Sequence, residues 1–393
     1  MKILFLGYAV DPEIADGLSG VSVAGNKMQV NVLKGLSSYS DVELKCITVY
    51  PVAAFPREKK LWIKGNMIKV AENVNSYRVP FLNLPVVKQI HQTANVYRKA
   101  KKLADKDTKV LAFNLFPQIG LPLMWLKKKY GCETYSLLAD LPIDDYTSGK
   151  NVIRDFFRKI FDSLTEKAIK VCDKLIVLNR NAAEKYAPGT EYIVMEGGID
   201  EKNIPIGDTL SYDKRLKNII YSGALTEYSG IMNLIKAMDS VKDTDALLEI
   251  YGGGYLKDEI EEIAKEKKNV KYCGKVDNKT MLSVQQSAYL LVNPRPVDDK
   301  ISQVTFPSKI FEYMSSGTAV LSTELNGLTN DYLKNIYHIK SNEPHLLAEK
   351  IDEILKADTK TLNELALCAR EFILTNKTWK LQSEKIHDFL GKK

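Results

Sequence analysis

Lys309 and Glu312 are the residues whose types and spacing most plainly suit chemistry. Phe306-Pro307-Ser308-Lys309 reads as a helix start, with proline just before it and serine near the cap. Three residues apart on one helix, Lys309 and Glu312 share a face. A lysine there adds charge to an end that is already positive, which is unfavourable unless an anion binds. A carboxylate beside it can accept hydrogen bonds from a ribose diol. The bland alternative is a surface Lys–Glu pair, worth only ~0.3–0.5 kcal/mol.

Other loops of the same half suit the same ligand. Tyr221-Ser222-Gly223-Ala224-Leu225 and Tyr251-Gly252-Gly253-Gly254 each follow an apolar run and precede a helix-like one. Gly223 and Gly253 would let a phosphate approach the backbone, although a tight turn alone would also explain three consecutive glycines. In Cys273-Gly274-Lys275-Val276, backbone groups near Val276 are placed to meet a base edge. Asn293-Pro294-Arg295 ends another apolar run, and a flexible polar loop is expected from Val297 to Gln303.

Short apolar runs alternate with longer helix-like stretches, the pattern of parallel α/β folds. Strands are expected at Lys2–Tyr8, Val42–Thr48, Met67–Arg78, Val110–Asn114, Thr134–Leu138 and Lys174–Leu178. A second series follows at Asn218–Ser222, Ala246–Tyr251, Val270–Cys273, Tyr289–Val292 and Ala319–Ser322. The polar stretch Glu201 to Lys214, with Pro205 and Gly207, is the expected linker. The expectation is an α/β protein of two Rossmann-like domains facing each other across a cleft, residues 1–205 and 206–375. A helix in 376–393 returns to the first domain, with Trp379, Leu381, Ile386 and Leu390 along one side.

Size and composition agree with a two-domain globular protein: 393 residues, 45% hydrophobic and 27% charged. No apolar run approaches the ~20 residues that span a bilayer. The opening Met1–Gly7 is too short for a signal peptide and reads as a buried strand, so the cytoplasm is the expected compartment. Five scattered cysteines without a C-x-x-C pair argue against disulfides and zinc and for a reducing compartment. The net charge of +7 arises from +8 in the first 200 residues, with 29 Lys+Arg against 21 Asp+Glu, and −1 in the rest. Basic residues cluster around Trp62 and on the helix expected at Val86–Lys106. Such a surface suits an anionic membrane face or a phosphorylated acceptor, or is simply a solvated face. It lacks a nucleic-acid fingerprint or aromatic platform, so nucleic acid is not the expected partner.

With these residues assembled, the sequence resembles a retaining family 4 glycosyltransferase of the GT-B fold, in its bacterial capsule and exopolysaccharide branch. Glu312 matches the second Glu of the family's Glu-x7-Glu motif, with Tyr313-Met314-Ser315-Ser316-Gly317 behind it, and Asn293–Arg295 and Phe306–Lys309 match the branch. Val304 replaces the first Glu. Ala224 and Ser229 stand where the family carries an Arg and a Lys for the diphosphate. The resemblance implies donor contacts at Gly20, Gly223, Gly253, Val276, Arg295, Phe306, Pro307, Ser308, Lys309 and Glu312. Lys309, with Arg295 as a second cation, is expected to replace the missing pair. Asp140 falls where the family places a residue that meets the transferred sugar or acceptor, though a strand-end aspartate also caps turns.

The function implied is transfer of a sugar, with retention, from a nucleotide-sugar to a glycan or polyprenyl-phosphate-linked acceptor, in cell-surface polysaccharide synthesis. UDP is the commonest nucleotide in the branch, and no metal or further cofactor is expected. Peripheral contact with the inner face of the plasma membrane is part of the same expectation. His91, His338, His345 and His387 lie outside the motif loops, which disfavours histidine acid–base catalysis. The rival readings are a nucleotide-sugar epimerase or phosphorylase on the same fold, and a non-catalytic sugar-nucleotide-binding subunit.

Overall fold

The computed structural model describes residues 1–15, 17–141, 152–200, 204 and 212–392. The chain divides into two compact units, Met1–Gly197 with Trp379–Lys393, and Gly198–Thr378. Most of the expected linker, and the expected boundary at 205/206, lie outside the described residues.

The first unit contains β1 (Lys2–Gly7), β2 (Glu43–Thr48), β3 (Trp62–Ile63), β4 (Asn66–Ala71) and β5 (Val74–Arg78). It continues with β6 (Phe81–Leu82), β7 (Thr108–Phe113), β8 (Thr134–Leu138), β9 (Lys174–Val177) and β10 (Glu191–Val194). Eight of these form one sheet in the order β10-β9-β8-β7-β1-β2-β5-β4, and β3 pairs with β6. Only β4 runs antiparallel in the large sheet, hairpinned onto β5. The expected strand Met67–Arg78 is thus two strands, because Glu72-Asn73 turns the chain between Val70 and Val74, whose side chains both return to the core. β10 was not expected; Glu191–Val194 is only four residues long and partly exposed.

The last helix, Trp379–Gly391, packs on the helix Val23–Leu36 within this unit. Its buried apolar face is Trp379, Ile386, Phe389 and Leu390; Leu381 is 36% exposed and does not belong to it. The two helices meet at Gly35, where a Cβ would lie 1.9 Å from Ser383 Oγ and 2.3 Å from Ser383 Cβ. Absence of a side chain is what allows the approach.

The second unit contains β11 (Asn218–Ala224), β12 (Leu247–Gly253), β13 (Val270–Gly274), β14 (Leu290–Asn293), β15 (Ala319–Thr323) and β16 (Tyr337–Ile339). All pairs are parallel, in the order β13-β12-β11-β14-β15-β16. Both faces of such a sheet are covered by helices, so its strands read as unbroken apolar runs; Ile219, Ile220 and Tyr221 are all fully buried. The strand order reverses between β11 and β14, a topological switch point where ligands of open α/β sheets bind. Among the described residues no helix is long and apolar enough to cross a membrane. All five cysteines are free thiols.

A larger side chain at Gly35 should force the last helix off its seat. Gly35→Leu is expected to destabilise the first unit by ~1–3 kcal/mol, the usual cost of overpacking. Trp62, Trp125 and Trp379 all lie in that unit, so tryptophan fluorescence during urea unfolding reports it alone. An unchanged midpoint would show that the two helices do not need this contact.

Candidate functional site

The strand ends at the switch point of the second unit converge on Gly223. Ser222, the residue before it, has its N–H bonded to the Tyr313 hydroxyl at 2.8 Å, and Tyr313 is fully buried. β14 pairs with β11 only at Ile219 and Ile220. The strands have separated by Ser222, and the tyrosine fills the gap. Gln285 adds a bond from its amide to Ser222 Oγ at 3.2 Å. Burial pushes the Tyr313 phenol up, so it stays protonated.

Tyr313 belongs to the helix Lys309–Ser315, so this latch fixes where that helix begins. Lys309 Nζ lies 4.0 Å from the centroid of the Tyr221 ring. A Cβ on Gly223 would come within 2.9 Å of the same nitrogen. Among the described residues no carboxylate pairs with Lys309, so the surface Lys–Glu pair is not what forms. Glu312 sits in the first turn of the same helix. Ser308 makes no side-chain cap bond, contrary to expectation, because its backbone is already helical and its hydroxyl cannot reach back.

The loops around this point are set by backbone packing. Gly223 has φ +148° and Gly252 has φ +140°, and a Cβ on Gly252 would lie 1.8 Å from the Gly223 carbonyl oxygen. A Cβ on Gly230 would meet the Pro294 carbonyl oxygen at 1.8 Å, which ties the β11 and β14 loops together. Gly253 differs: nothing lies within 4 Å of its missing Cβ. Val276 is half-buried, two residues beyond β13, with Gly274 turning the chain at φ +78°.

Arg295, Phe306 and Pro307 hold the loop. The Arg295 guanidinium donates to Thr305 Oγ1 at 3.0 Å. Phe306 is 6% exposed and stacks on Phe311 at 4.8 Å between ring centroids, so its side chain is part of the core; Pro307 is buried beside it and Ser308 is exposed. The expected flexible loop Val297–Gln303 is instead partly helical, over Lys300–Val304. Asp299 caps that turn, accepting from Ile301 N–H at 2.8 Å and Ser302 N–H at 3.2 Å. Sequence reasoning also passed over Arg215, 8% exposed, whose guanidinium donates to the Ala288 carbonyl, Thr318 Oγ1 and the Gly317 carbonyl. It anchors the end of the Thr305–Gly317 segment.

Gly20 and Asp140 are in the first unit, and both line a pocket of about 310 Å³ at the ends of its strands. Gly20 packs on the chain at Pro51-Val52, where a Cβ would be 2.9 Å from the Val52 carbonyl carbon. Asp140 follows β8 and accepts from Asn114 Nδ2 at 2.9 Å. Asn114 has φ +51°, and its Oδ1 accepts from the N–H of Ala139 (2.8 Å) and Asp140 (3.0 Å). Asp140 is exposed as a residue, and its carboxyl is held by Asn114 at the pocket lining. Loss of hydration there raises its pKa, against the lowering effect of the Asn114 bond.

Two tests follow. Gly253→Ala fills open space, so stability should change by no more than ~0.5 kcal/mol. Any marked loss of ligand affinity in a calorimetric titration would then report a ligand lying over that glycine. For Asp140, a pKa raised in the folded state makes the ionised carboxylate a burden above the carboxyl's range. Asp140→Asn should therefore raise the melting temperature at pH 7, with the gain fading as pH falls towards ~4. A constant gain across that range would place its cause elsewhere.

Residues 209–372 match the family model described as Glycosyl transferases group 1. No curated protein matches the sequence. Among solved structures, sucrose-phosphate synthase from Thermosynechococcus elongatus is similar over 99% of this chain and 98% of its own, at 17% identity and TM-score 0.73. Anabaena HepE, solved in complex with UDP, is similar over the full length of both chains at 15% identity and TM-score 0.66. A glycosyltransferase from Rickettsia africae is similar over 99% of this chain and 97% of its own, at 14% identity and TM-score 0.65. These likenesses establish the GT-B fold, two Rossmann-like units with the last helix packed on the first. With the group 1 model matched across its second unit, the chain is a glycosyltransferase.

Proposed function

We propose that the chain transfers a sugar with retention from a nucleoside diphosphate sugar, with UDP as the nucleotide. The acceptor is a glycan or lipid-linked saccharide of cell-surface polysaccharide synthesis, held by the first unit. The observation that carries this reading is Lys309, set over Gly223 at the switch point with no described carboxylate to neutralise it. The similarity to a protein solved with UDP supports the choice of nucleotide.

Lys309 takes the donor diphosphate, replacing cations absent at Ala224 and Ser229. Glu312, one turn on, accepts from the ribose hydroxyls. As the bond from the anomeric carbon to the phosphate oxygen breaks, charge grows on the diphosphate, and Lys309 stabilises it there. The acceptor oxygen attacks from the same face, and its proton passes to the departing phosphate oxygen. The nucleoside diphosphate leaves with that proton, and the new glycosidic bond keeps the donor's configuration. No protein nucleophile is consumed. Asp140 in the first unit's pocket is assigned to a hydroxyl of the acceptor or the transferred sugar.

Contact with an anionic membrane fits the helix Val152–Val171. Phe156 is 61% exposed on it, and Phe157 and Ile160 are 38% exposed, beside Arg158 and Lys159. Aromatic and cationic side chains together suit the headgroup layer.

Lys309→Met keeps the length of the side chain and removes its charge. Release of UDP from a UDP-sugar panel should fall by about 10²–10³-fold, the usual loss when one stabilising donor is removed. UDP at 100 times its Kd stabilises the wild type by ~2.7 kcal/mol, and the variant should lose much of that shift. Full turnover together with full UDP affinity in Lys309→Met would sink the assignment.

A further inference from the structure

The first unit's pocket contains a second lysine whose charge nothing described neutralises. The helix Val87–Ala100 is strongly basic, but its cations divide. Arg98 donates to Asn95, and Lys99 lies over the Tyr77 ring at 4.0 Å. Lys88 alone among them turns inward to line the pocket. There its ammonium donates to the Val52 carbonyl and stands 5.7 Å from the centroid of the buried Phe81 ring. Two of its three N–H groups stay available. Burial lowers its pKa, and no carboxylate acts against that effect.

Gln92 stands four residues on, on the same face of the helix, and also lines the pocket. It is 2% exposed, and its Nε2 meets no acceptor among the described residues. A buried donor left unpaired costs ~1–3 kcal/mol, so this amide is a standing penalty unless a ligand meets it.

Asn26, Gln29, Ser22 and Asp140, which also line the pocket, are committed to the fold. Asn26 exchanges two bonds with the backbone of Val10, at 2.9 and 3.0 Å. Gln29 accepts from Tyr8 N–H at 2.7 Å and donates to the Gly25 carbonyl at 3.1 Å. Ser22 accepts from Gly25 N–H. Asp140, the acid in the lining, is bonded to Asn114 and makes no pair with Lys88. Lys88 and Gln92 thus supply an uncommitted cation and an unpaired amide one helical turn apart, in a lining that also holds the buried, unpaired Tyr8 hydroxyl.

We propose that Lys88 and Gln92 form an anion subsite of this pocket, which takes a phosphate or carboxylate group carried by the acceptor. The inference rests on the reading of the first unit as the acceptor's, and it narrows the acceptor to an anionic one. A diphosphate of the donor has the same chemistry, and the test separates the two sources.

The full chain would be titrated with inorganic phosphate and with glucuronate, using glucose and matched sodium chloride as controls, and separately with UDP. Wild type should bind at least one anion ten or more times tighter than glucose. Lys88→Met should abolish that preference, Lys88→Arg should keep it, and all three proteins should bind UDP alike. Gln92→Met guards against a folding defect: it removes an unpaired donor, so it should be no less stable than wild type and bind the anion several times more weakly. Anion binding no stronger than glucose, or undiminished in Lys88→Met, would overturn the subsite. Parallel loss of UDP binding in Lys88→Met would assign the lysine to the donor instead. Absence of UDP binding by the wild type would count against the donor reading, independently of the anion result.

Discussion

The bond between the Tyr313 hydroxyl and Ser222 N–H is the contact on which the second unit's site depends. Parallel strands must separate at a switch point, and the separation strips backbone donors of their ladder partners. Here the stripped donor is Ser222 N–H, and a phenol from the following helix reaches 2.8 Å to meet it. Because the phenol is buried and remains protonated, it can accept from the strand and donate to the Ser222 carbonyl as well. A repair of the sheet thereby sets the position of a helix start. Lys309 and Glu312 occupy the first turn of that helix, so their placement follows from the core.

The first unit uses side-chain amides for the same purpose. Asn114 leaves the strand in the left-handed region, which asparagine tolerates better than most residues, and its side chain gathers the N–H groups of Ala139 and Asp140. Asn26 and Gln29 tie the helix Val23–Leu36 to the chain leaving β1. Asp140 then gains a bond from Asn114 Nδ2, so one asparagine both shapes the loop and holds the carboxylate. Such bracing satisfies the backbone groups of the loops that surround the pocket.

The parallel core was legible in the sequence because strands buried on both faces are continuous apolar runs, and β1, β8 and β11 are read directly from them. The helix start that carries Lys309 and Glu312 was legible through local chemistry, a proline and a serine ahead of an alternation of charge and apolar side chains. Failures came where distant contacts decide. Asp299 caps a helical turn inside a stretch whose composition reads as loop. Nothing in the sequence signals that the Phe306 ring packs against those of Phe311 and Tyr332. Leu381 has the right type for the buried face of the last helix and the wrong angle. Lys88 is one basic residue among many until the backbone turns it inward.

Lys309 and Lys88 are handled in the same way, and the physics of that handling bears on function. Each ammonium rests near an aromatic face, at 4.0 Å from the Tyr221 centroid and 5.7 Å from that of Phe81, and neither has a described carboxylate partner. A buried lysine paired with a carboxylate has its charge already answered, and an arriving anion must displace that partner. A contact with a ring is worth only ~0.5–2 kcal/mol, so it holds the ammonium in place while leaving its field largely uncompensated. An incoming anion then gains most of the electrostatic attraction without breaking an ion pair. The cost falls on the unliganded protein, which carries two under-neutralised cations, and this is the kind of local instability that persists where binding a ligand removes it.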